Sequence, residues 1–248
     1  MRSDESVQSI ARAFEILEVV AEHAPVTLSS LAQETDLPLS TLHRLVGTLV
    51  SLGYVRMDVD KRYSLAPRLI HLGERSSRML SRWAIPHLSR LVDELGETAN
   101  LALLDGDGIV YVGQVPSRHS MRMFTEVGRR VQPHCTAVGK VLLARLPDAE
   151  LTGLVARTGL PAQTPHTLTT VDALRTELAR VRADGFAVDD EEQEIGVRCV
   201  AMGLEDGPLP LAISVSGPVQ RMTGDLVGRA VPALAAAAAG FATDLSGA

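Results

Sequence analysis

Cysteine is nearly missing from this chain of 248 residues: there are two, Cys135 and Cys199, and no CxxC pair. That excludes a disulfide framework and a cysteine-built structural zinc site, and it suits a reducing cytoplasm. Aromatic residues are equally scarce at 3%, so any core must be built from Leu, Val, Ile and Ala. No apolar run reaches the roughly 18 residues of a membrane span. The Ala-rich stretch from Ala233 to Ala239 is too short, and the opening MRSDESVQS has acids where a secretory signal needs an apolar centre. No membrane partner is expected. Surplus positive charge is also lacking. The net charge is −6, and the first 75 residues hold eight Lys or Arg against ten Asp or Glu. This argues against binding a polyanion through bulk charge but leaves room for a local patch. Between Leu37 and Met57 there is no acid, and Arg44 and Arg56 lie inside that stretch.

What is present is the composition of a packed globular protein, 46% hydrophobic and 22% charged, with a length that suits one large domain or two ordinary ones. Apolar spacing predicts a helix from a cap at Ser6 to about residue 22, apolar on two sides: Val7, Ile10, Phe14, Leu17 and Ala21 on one, Ile16, Val19 and Val20 on the other. Two apolar sides exceed what one small core needs, so one of them is a candidate for a partner subunit. Thr27 caps a short helix to Thr35, Asp36-Leu37-Pro38 turns, and a third helix runs from Ser40 to Leu52 before Gly53. Strands at 54–57 and 62–65 around the turn 58–61 form a two-stranded wing. Ala66-Pro67 marks a boundary, followed by a linker helix and a second helix to Glu97 that Pro86 is expected to kink or interrupt.

The third helix carries the functional argument. With Leu42 at the centre of its inner face, Leu45, Val46, Leu49 and Leu52 fall inward, while Ser40, Arg44, Gly47 and Ser51 fall opposite, flanked by Thr41 and His43. A small, hydrogen-bonding, acid-free face suits a helix lying in a DNA major groove. Ser40, Thr41, His43 and Arg44 are therefore candidate DNA contacts, with Lys61 and Arg62 on the wing beside Asp58 and Asp60. The sequence of short helix, Pro turn, helix and charged hairpin is that of a winged helix-turn-helix, and double-stranded operator DNA is the expected partner.

The rest of the chain mixes helices with meander strands. Strands are expected at 99–104 and 109–115 around Asp105-Gly106-Asp107-Gly108, at 119–125, 186–190, 196–202 and 209–216. Helices are expected at 137–145, 148–158, 171–184 and 224–241. The whole is α+β: residues 1–66 a winged helix-turn-helix domain, 67–80 a linker helix, and 81–248 a domain with an antiparallel sheet. Alternation sets Ala212, Ser214 and Ser216 on one sheet face, Val197, Cys199 and Ala201 on one face of the strand before, and Asp189 on the strand before that. If these strands are neighbours, polar groups converge on an apolar wall, as a small-molecule site requires.

The stretches SVQSIARAFEILE, TLSSLAQETDLPLSTLHRLVGTLVSLGYV, RYSLAPRLIHLG, HCTAVGKVLLA, GFAVDDEEQEIGVRCVAMGLED and LAISVSGPVQRM together resemble the IclR family of bacterial transcriptional regulators. The resemblance implies a GAF-like effector domain, a homodimer or homotetramer with paired DNA-binding domains, and a small-molecule effector, often an organic acid or aromatic metabolite. It implies an effector site at Asp189, Cys199, Ser214 and Ser216 together with the turn Thr136, Ala137, Val138 and Gly139. That turn opens a helix whose free N–H groups suit a carboxylate. The acids Asp189, Asp190, Glu191, Glu192 and Glu194 oppose an anionic effector unless Arg122, Arg129 or Arg198 compensates. A repressor is expected over an activator. No cofactor and no metal are expected, since His134 and Cys135 alone do not build a metal site. An anion site from Arg118, Arg122, Arg129 and Arg130 yields to solvated surface. Cys199 near Asp189 and His134 lacks the ordering of a catalytic nucleophile, so no enzyme is expected. The other reading is a DNA-binding protein whose second domain only oligomerises.

Overall fold

The computed structural model describes residues 7–123, 126–204 and 209–246, with side chains described except at 74–82, 245 and 246. The chain forms two compact units, Met1–Ser76 and Ser77–Ala248.

The first unit is built from α1 (Gln8–His23), β1 (Val26–Thr27), α2 (Leu28–Thr35), α3 (Leu39–Ser51), β2 (Val55–Met57) and β3 (Arg62–Leu65). Strand β3 pairs antiparallel with both β1 and β2, which gives a three-stranded sheet; the sequence reading had only the β2–β3 wing. The Thr27 hydroxyl caps α2 by accepting the Ser30 N–H at 3.2 Å. Gly53, at φ +79°, closes α3 in the left-handed conformation that costs glycine nothing. The core joins Ile16 and Val20 of α1, Leu31 of α2, Leu42, Val46 and Leu49 of α3, and Val55 of β2. One sequence expectation is corrected here, and one left open is decided. Leu52, expected inward, is 47% exposed, because α3 ends at Ser51 and the chain turns away. On α1 the side that enters the core is Ile16–Val20, whereas Val7, Ile10 and Phe14 stay exposed. The proposed cap Ser6 lies outside the described residues.

Between Arg68 and Leu95 runs a single helix, α4, where a linker helix and a separate second helix were expected. Pro86 does not interrupt it: it is exposed, and the helix tolerates the loss of one N–H. The second unit continues with β4 (Thr98–Asp105), β5 (Gly108–Val115), β6 (Arg130–Val131), α5 (Ala137–Leu143), α6 (Asp148–Thr158), α7 (Val171–Asp184), β7 (Phe186–Asp190), β8 (Val197–Gly203), β9 (Leu211–Pro218) and α8 (Gly224–Ser246). Described residues 119–123 form no strand, contrary to expectation, and 124–125 lie outside the described residues; β6 was not foreseen. A two-residue loop, Gly106–Asp107, joins β4 to β5, with Gly106 at φ +56°.

All six strands pair antiparallel in the order β6-β5-β4-β9-β8-β7. One face carries Leu101, Val200, Ile213 and Val215 against α4 and α8. The other carries Ala102, Ala187, Ala201 and Ala212 against α5, α6 and α7. Small residues on this second face let α5 lie close to the sheet. Helix α8 is apolar and long enough to cross a membrane, but Leu226, Ala230, Leu234 and Phe241 are buried against the sheet, as in a core helix.

Candidate functional site

In the first unit, Ser40, His43 and Arg44 are exposed on one side of α3 and Thr41 is half-buried beside them. Gly47 and Thr48 extend the same exposed side, and a Cβ built at Gly47 meets nothing within 4 Å. Residue Pro38 precedes the helix and offers no side-chain cap. The first N–H groups engaged are those of Thr41 and Leu42, both to the Pro38 carbonyl. Among the described residues the N–H groups of Leu39 and Ser40 have no partner, at the positive end of the helix dipole, where a phosphate oxygen is favoured.

The wing separates its two cations. Asp58 builds the tip: its Oδ1 accepts the Asp60 N–H at 3.0 Å and the Arg62 N–H at 2.8 Å. The Arg62 N–H holds the Asp58 carboxyl below its usual range, and Arg62 also returns a guanidinium contact at 3.1 Å. Arg62 reaches Asp60 as well, at 3.4 Å. Lys61 is exposed at φ +58° and makes no ion pair among the described residues. Lys61 is therefore the freer cation and Arg62 the tethered one.

In the second unit, strand register assembles the polar groups read from the sequence. Asp189 pairs with Cys199, Cys199 with Ser216, and Ala201 with Ser214. Their side chains share the face under α5. Two residues that sequence reasoning missed complete the row. Asn100, fully buried on β4, donates to Ser216 at 2.8 Å and to Ser214 at 3.4 Å, and Gln114 of β5 donates to Asn100 Oδ1 at 3.1 Å. The alternation of Thr98, Asn100 and Ala102 against Ala99 and Leu101 carried that signal. Tyr111 of β5 packs beside this face, and burial pushes its phenol up, so it remains a neutral hydrogen-bonding group.

Asp189 is 4% exposed. Burial pushes its carboxyl up to about 7, against the Glu192 N–H that Oδ1 accepts at 2.8 Å. The Gln193 N–H also reaches Oδ1, at 3.3 Å, and Oδ2 has no partner among the described residues. Lys140 is a third residue missed. It is 1% exposed, and its Nζ donates to Glu192 at 2.5 Å, to the Val188 carbonyl at 2.5 Å and to Glu177 at 3.1 Å. A lysine inside a seven-residue helix buried on all sides was the available signal. Lys140 ties α5 to α7 and to both ends of the turn that holds Asp189.

The turn Thr136–Gly139 starts α5, which packs on β7, β8, β9 and β4. The four residues do not offer four free N–H groups, however. Thr136 caps the helix by accepting the Gly139 N–H at 3.2 Å. Gly139 serves packing: a Cβ there would run into the Pro133 carbonyl. Ala137 and Val138 keep N–H groups with no partner among the described residues. Two acids of the run around Asp189 are ion-paired and a third is hydrogen-bonded. Asp190 pairs with Arg198 at 2.7 Å, Glu191 accepts the Gly196 N–H at 2.7 Å, and Glu192 pairs with Lys140. Arg198 is thereby withdrawn as a partner for a ligand. Arg118 and Arg130 are likewise taken, by Asp93 at 2.6 Å and Asp105 at 2.9 Å.

Burial pushes the thiols of Cys135 and Cys199 up to about 12, so neither supplies a thiolate nucleophile near neutrality. His134, 1% exposed, bonds the Pro161 carbonyl through Nε2 at 3.1 Å, and burial lowers its pKa.

Residues 9–59 match the IclR helix-turn-helix domain and residues 75–242 the C-terminal domain of bacterial transcriptional regulators of the IclR type. The transcriptional repressor IclR of Escherichia coli K12 is 37% identical over 229 residues, covering 89% of this chain and 84% of that protein. An IclR transcriptional regulator from Alicyclobacillus acidocaldarius has a similar structure, with a TM-score of 0.84 at 29% identity, covering 96% of this chain and 98% of that one. An IclR homolog from Microbacterium hydrocarbonoxydans, crystallised with 4-hydroxybenzoate, has a TM-score of 0.80 at 27% identity, covering 97% and 100%. With both profiles matched across two units of the corresponding architecture, the chain belongs to the IclR family of DNA-binding bacterial transcriptional regulators, which are not enzymes.

Proposed function

We propose that this regulator is controlled by a small carboxylic acid bound between α5 and the sheet, and that it acts as a cytoplasmic repressor. The observation that carries the reading is the buried polar row Asp189, Cys199, Ser216, Ser214 and Asn100 on an otherwise apolar face. Buried polar groups are kept where something needs them, and among the described residues Asp189 Oδ2 accepts no hydrogen bond, while Oδ1 takes the Glu192 and Gln193 N–H groups. The raised pKa of Asp189 answers the charge objection: in its neutral form it donates to a ligand carboxylate instead of repelling it. Thr136, Ala137, Val138 and Gly139 bound the ligand on the helix side, and the Ala137 and Val138 N–H groups complement its charge. The 4-hydroxybenzoate in the Microbacterium homolog and the repressor name of the E. coli relative agree with this class and sign.

Operator contacts are assigned to Ser40, Thr41, His43 and Arg44 of α3 and to Lys61 and Arg62 of the wing. The DNA-binding domain is residues 1–66, the linker 67–80 and the effector domain 81–248. A homodimer or homotetramer is supported by the exposed Val7, Ile10 and Phe14 of α1. Ile10 and Phe14 line an apolar groove of about 490 Å³ together with Leu45, Leu52 and Leu69. Effector binding alters subunit pairing or the linker, and so the spacing of the two reading helices.

The test is fluorescence anisotropy on an operator selected from a random duplex pool, titrated with a panel of aliphatic and aromatic monocarboxylates. One or more should shift operator affinity about tenfold or more. Ser216→Ala and Asp189→Asn should lose that response while keeping basal operator affinity. If no compound changes affinity, the second domain only oligomerises.

A further inference from the structure

A second cavity, of about 420 Å³, opens at the β5–β6 edge of the sheet and reaches the polar row under α5 only through Gln193. It is bounded by Arg129 and Gln132 around β6, Thr158 at the end of α6, Gln163 in the following loop, and Gln193 between β7 and β8. Its charges are unequal. Asp107, on its rim, is held by two contacts from Arg157, at 2.6 and 2.8 Å, and Arg130 is held by Asp105 at 2.9 Å. Arg129 makes no ion pair among the described residues. Gln132 Oε1 is buried without a partner among the described residues. Gln193 uses its Oε1 to accept the Cys135 thiol at 2.9 Å, which leaves its amino group uncommitted among the described residues.

A wall of three carboxamides and one guanidinium without an ion pair among the described residues is poorly matched to an apolar ligand. Each carboxamide both donates and accepts, as sugar hydroxyls do. The guanidinium matches a carboxylate in fork geometry. We infer that this cavity is a second small-molecule site, for a polyhydroxylated carboxylate, with Arg129 on the acid group and Gln132, Gln163 and Gln193 on the hydroxyls. It is connected to the first site through Gln193, whose N–H reaches Asp189 Oδ1 and whose side chain holds Cys135, next to the α5 cap. Only this coupling rests on the proposed effector site; the binding itself does not.

The experiment is calorimetric titration of the full chain with D-gluconate and D-glucuronate, to about 10 mM. At least one should bind saturably. Arg129→Gln should weaken it about tenfold or more, and Gln163→Ala more modestly. Both side chains are exposed, so neither change threatens the fold. Ser216→Ala, in the first site, should leave this binding unchanged. No saturable binding by either acid would overturn the inference. Binding that Ser216→Ala abolishes and Arg129→Gln spares would also overturn it, and would assign the ligand to the site under α5.

Discussion

At the scale of single residues, the reading surface separates into groups with different work. Arg44 is exposed on an acid-free face, placed to make a bidentate contact with a guanine. Arg44→Ala should cost about 1–3 kcal/mol on the selected operator and little on unrelated duplex. Lys61 is a point charge at a wing tip. Lys61→Ala should weaken all DNA alike and reduce the salt slope by about 0.9. Undiminished binding in both variants across a salt series would sink the assigned surface. Asp189 carries a second test. Its carboxyl ionises at about 7 in the fold against 3.8 when unperturbed, so the neutral form prevails below that range. A carboxylate effector bound to the neutral form should lose affinity as pH rises past 7, approaching about tenfold per unit. Asp189→Asn, if it binds at all, should flatten the profile. A wild-type affinity that is constant from pH 6 to 9 would contradict this role. The same shift acts on stability: the folded state holds the proton longer, so this group favours folding below about pH 4 and loses that contribution as pH climbs toward 7.

At the scale of elements, the sequence was most legible where local chemistry decides. Thr27, Gly53 and Gly185 fixed helix ends through capping and left-handed backbone. Period-2 alternation placed Cys199, Ser214 and Ser216 on one face because a buried antiparallel sheet permits no slip. What stayed hidden depends on long-range partners. Strand β6 has two residues and exists only because β5 offers an edge. On α1, both apolar sides have helical spacing, and only the placement of α2 and α3 decides that Ile16 and Val20 enter the core. Lys140 was hidden for the same reason, since its carboxylates come from α7 and from beyond β7. That bundle yields a prediction for α5 as an element. Lys140→Met leaves the buried Glu192 without its cation, although Glu177 keeps Arg180 at 2.7 Å, and should destabilise the second unit by about 3–5 kcal/mol in urea unfolding. Adding Glu192→Gln should recover part of the loss. A Lys140→Met protein as stable as wild type would mean that the buried charges contribute nothing to holding α5 on the sheet.

At the scale of the whole molecule, charge is the governing constraint. The chain is net negative, and its first 75 residues hold fewer cations than acids. One wing-and-helix surface with Arg44 and Lys61 as its freest cations gives few phosphate contacts, and each contact adds only modestly to affinity at physiological salt. Presenting that surface twice from one rigid assembly converts the second engagement into an intramolecular step. The means lies on α1, where Phe14 is 63% exposed and Ile10 57% exposed, both lining an apolar groove of the same unit. Phe14→Glu places a charge where a second copy is proposed to pack. Sedimentation should show looser association, and operator affinity should fall on the order of a hundredfold, with the salt slope falling toward half. Because Phe14 is exposed, the thermal midpoint should move little, which separates lost pairing from lost folding. If Phe14→Glu leaves both sedimentation and operator affinity unchanged, that face of α1 does not join the subunits. If it splits the assembly yet leaves affinity intact, a single acidic-bodied monomer suffices for DNA, and the argument from charge fails.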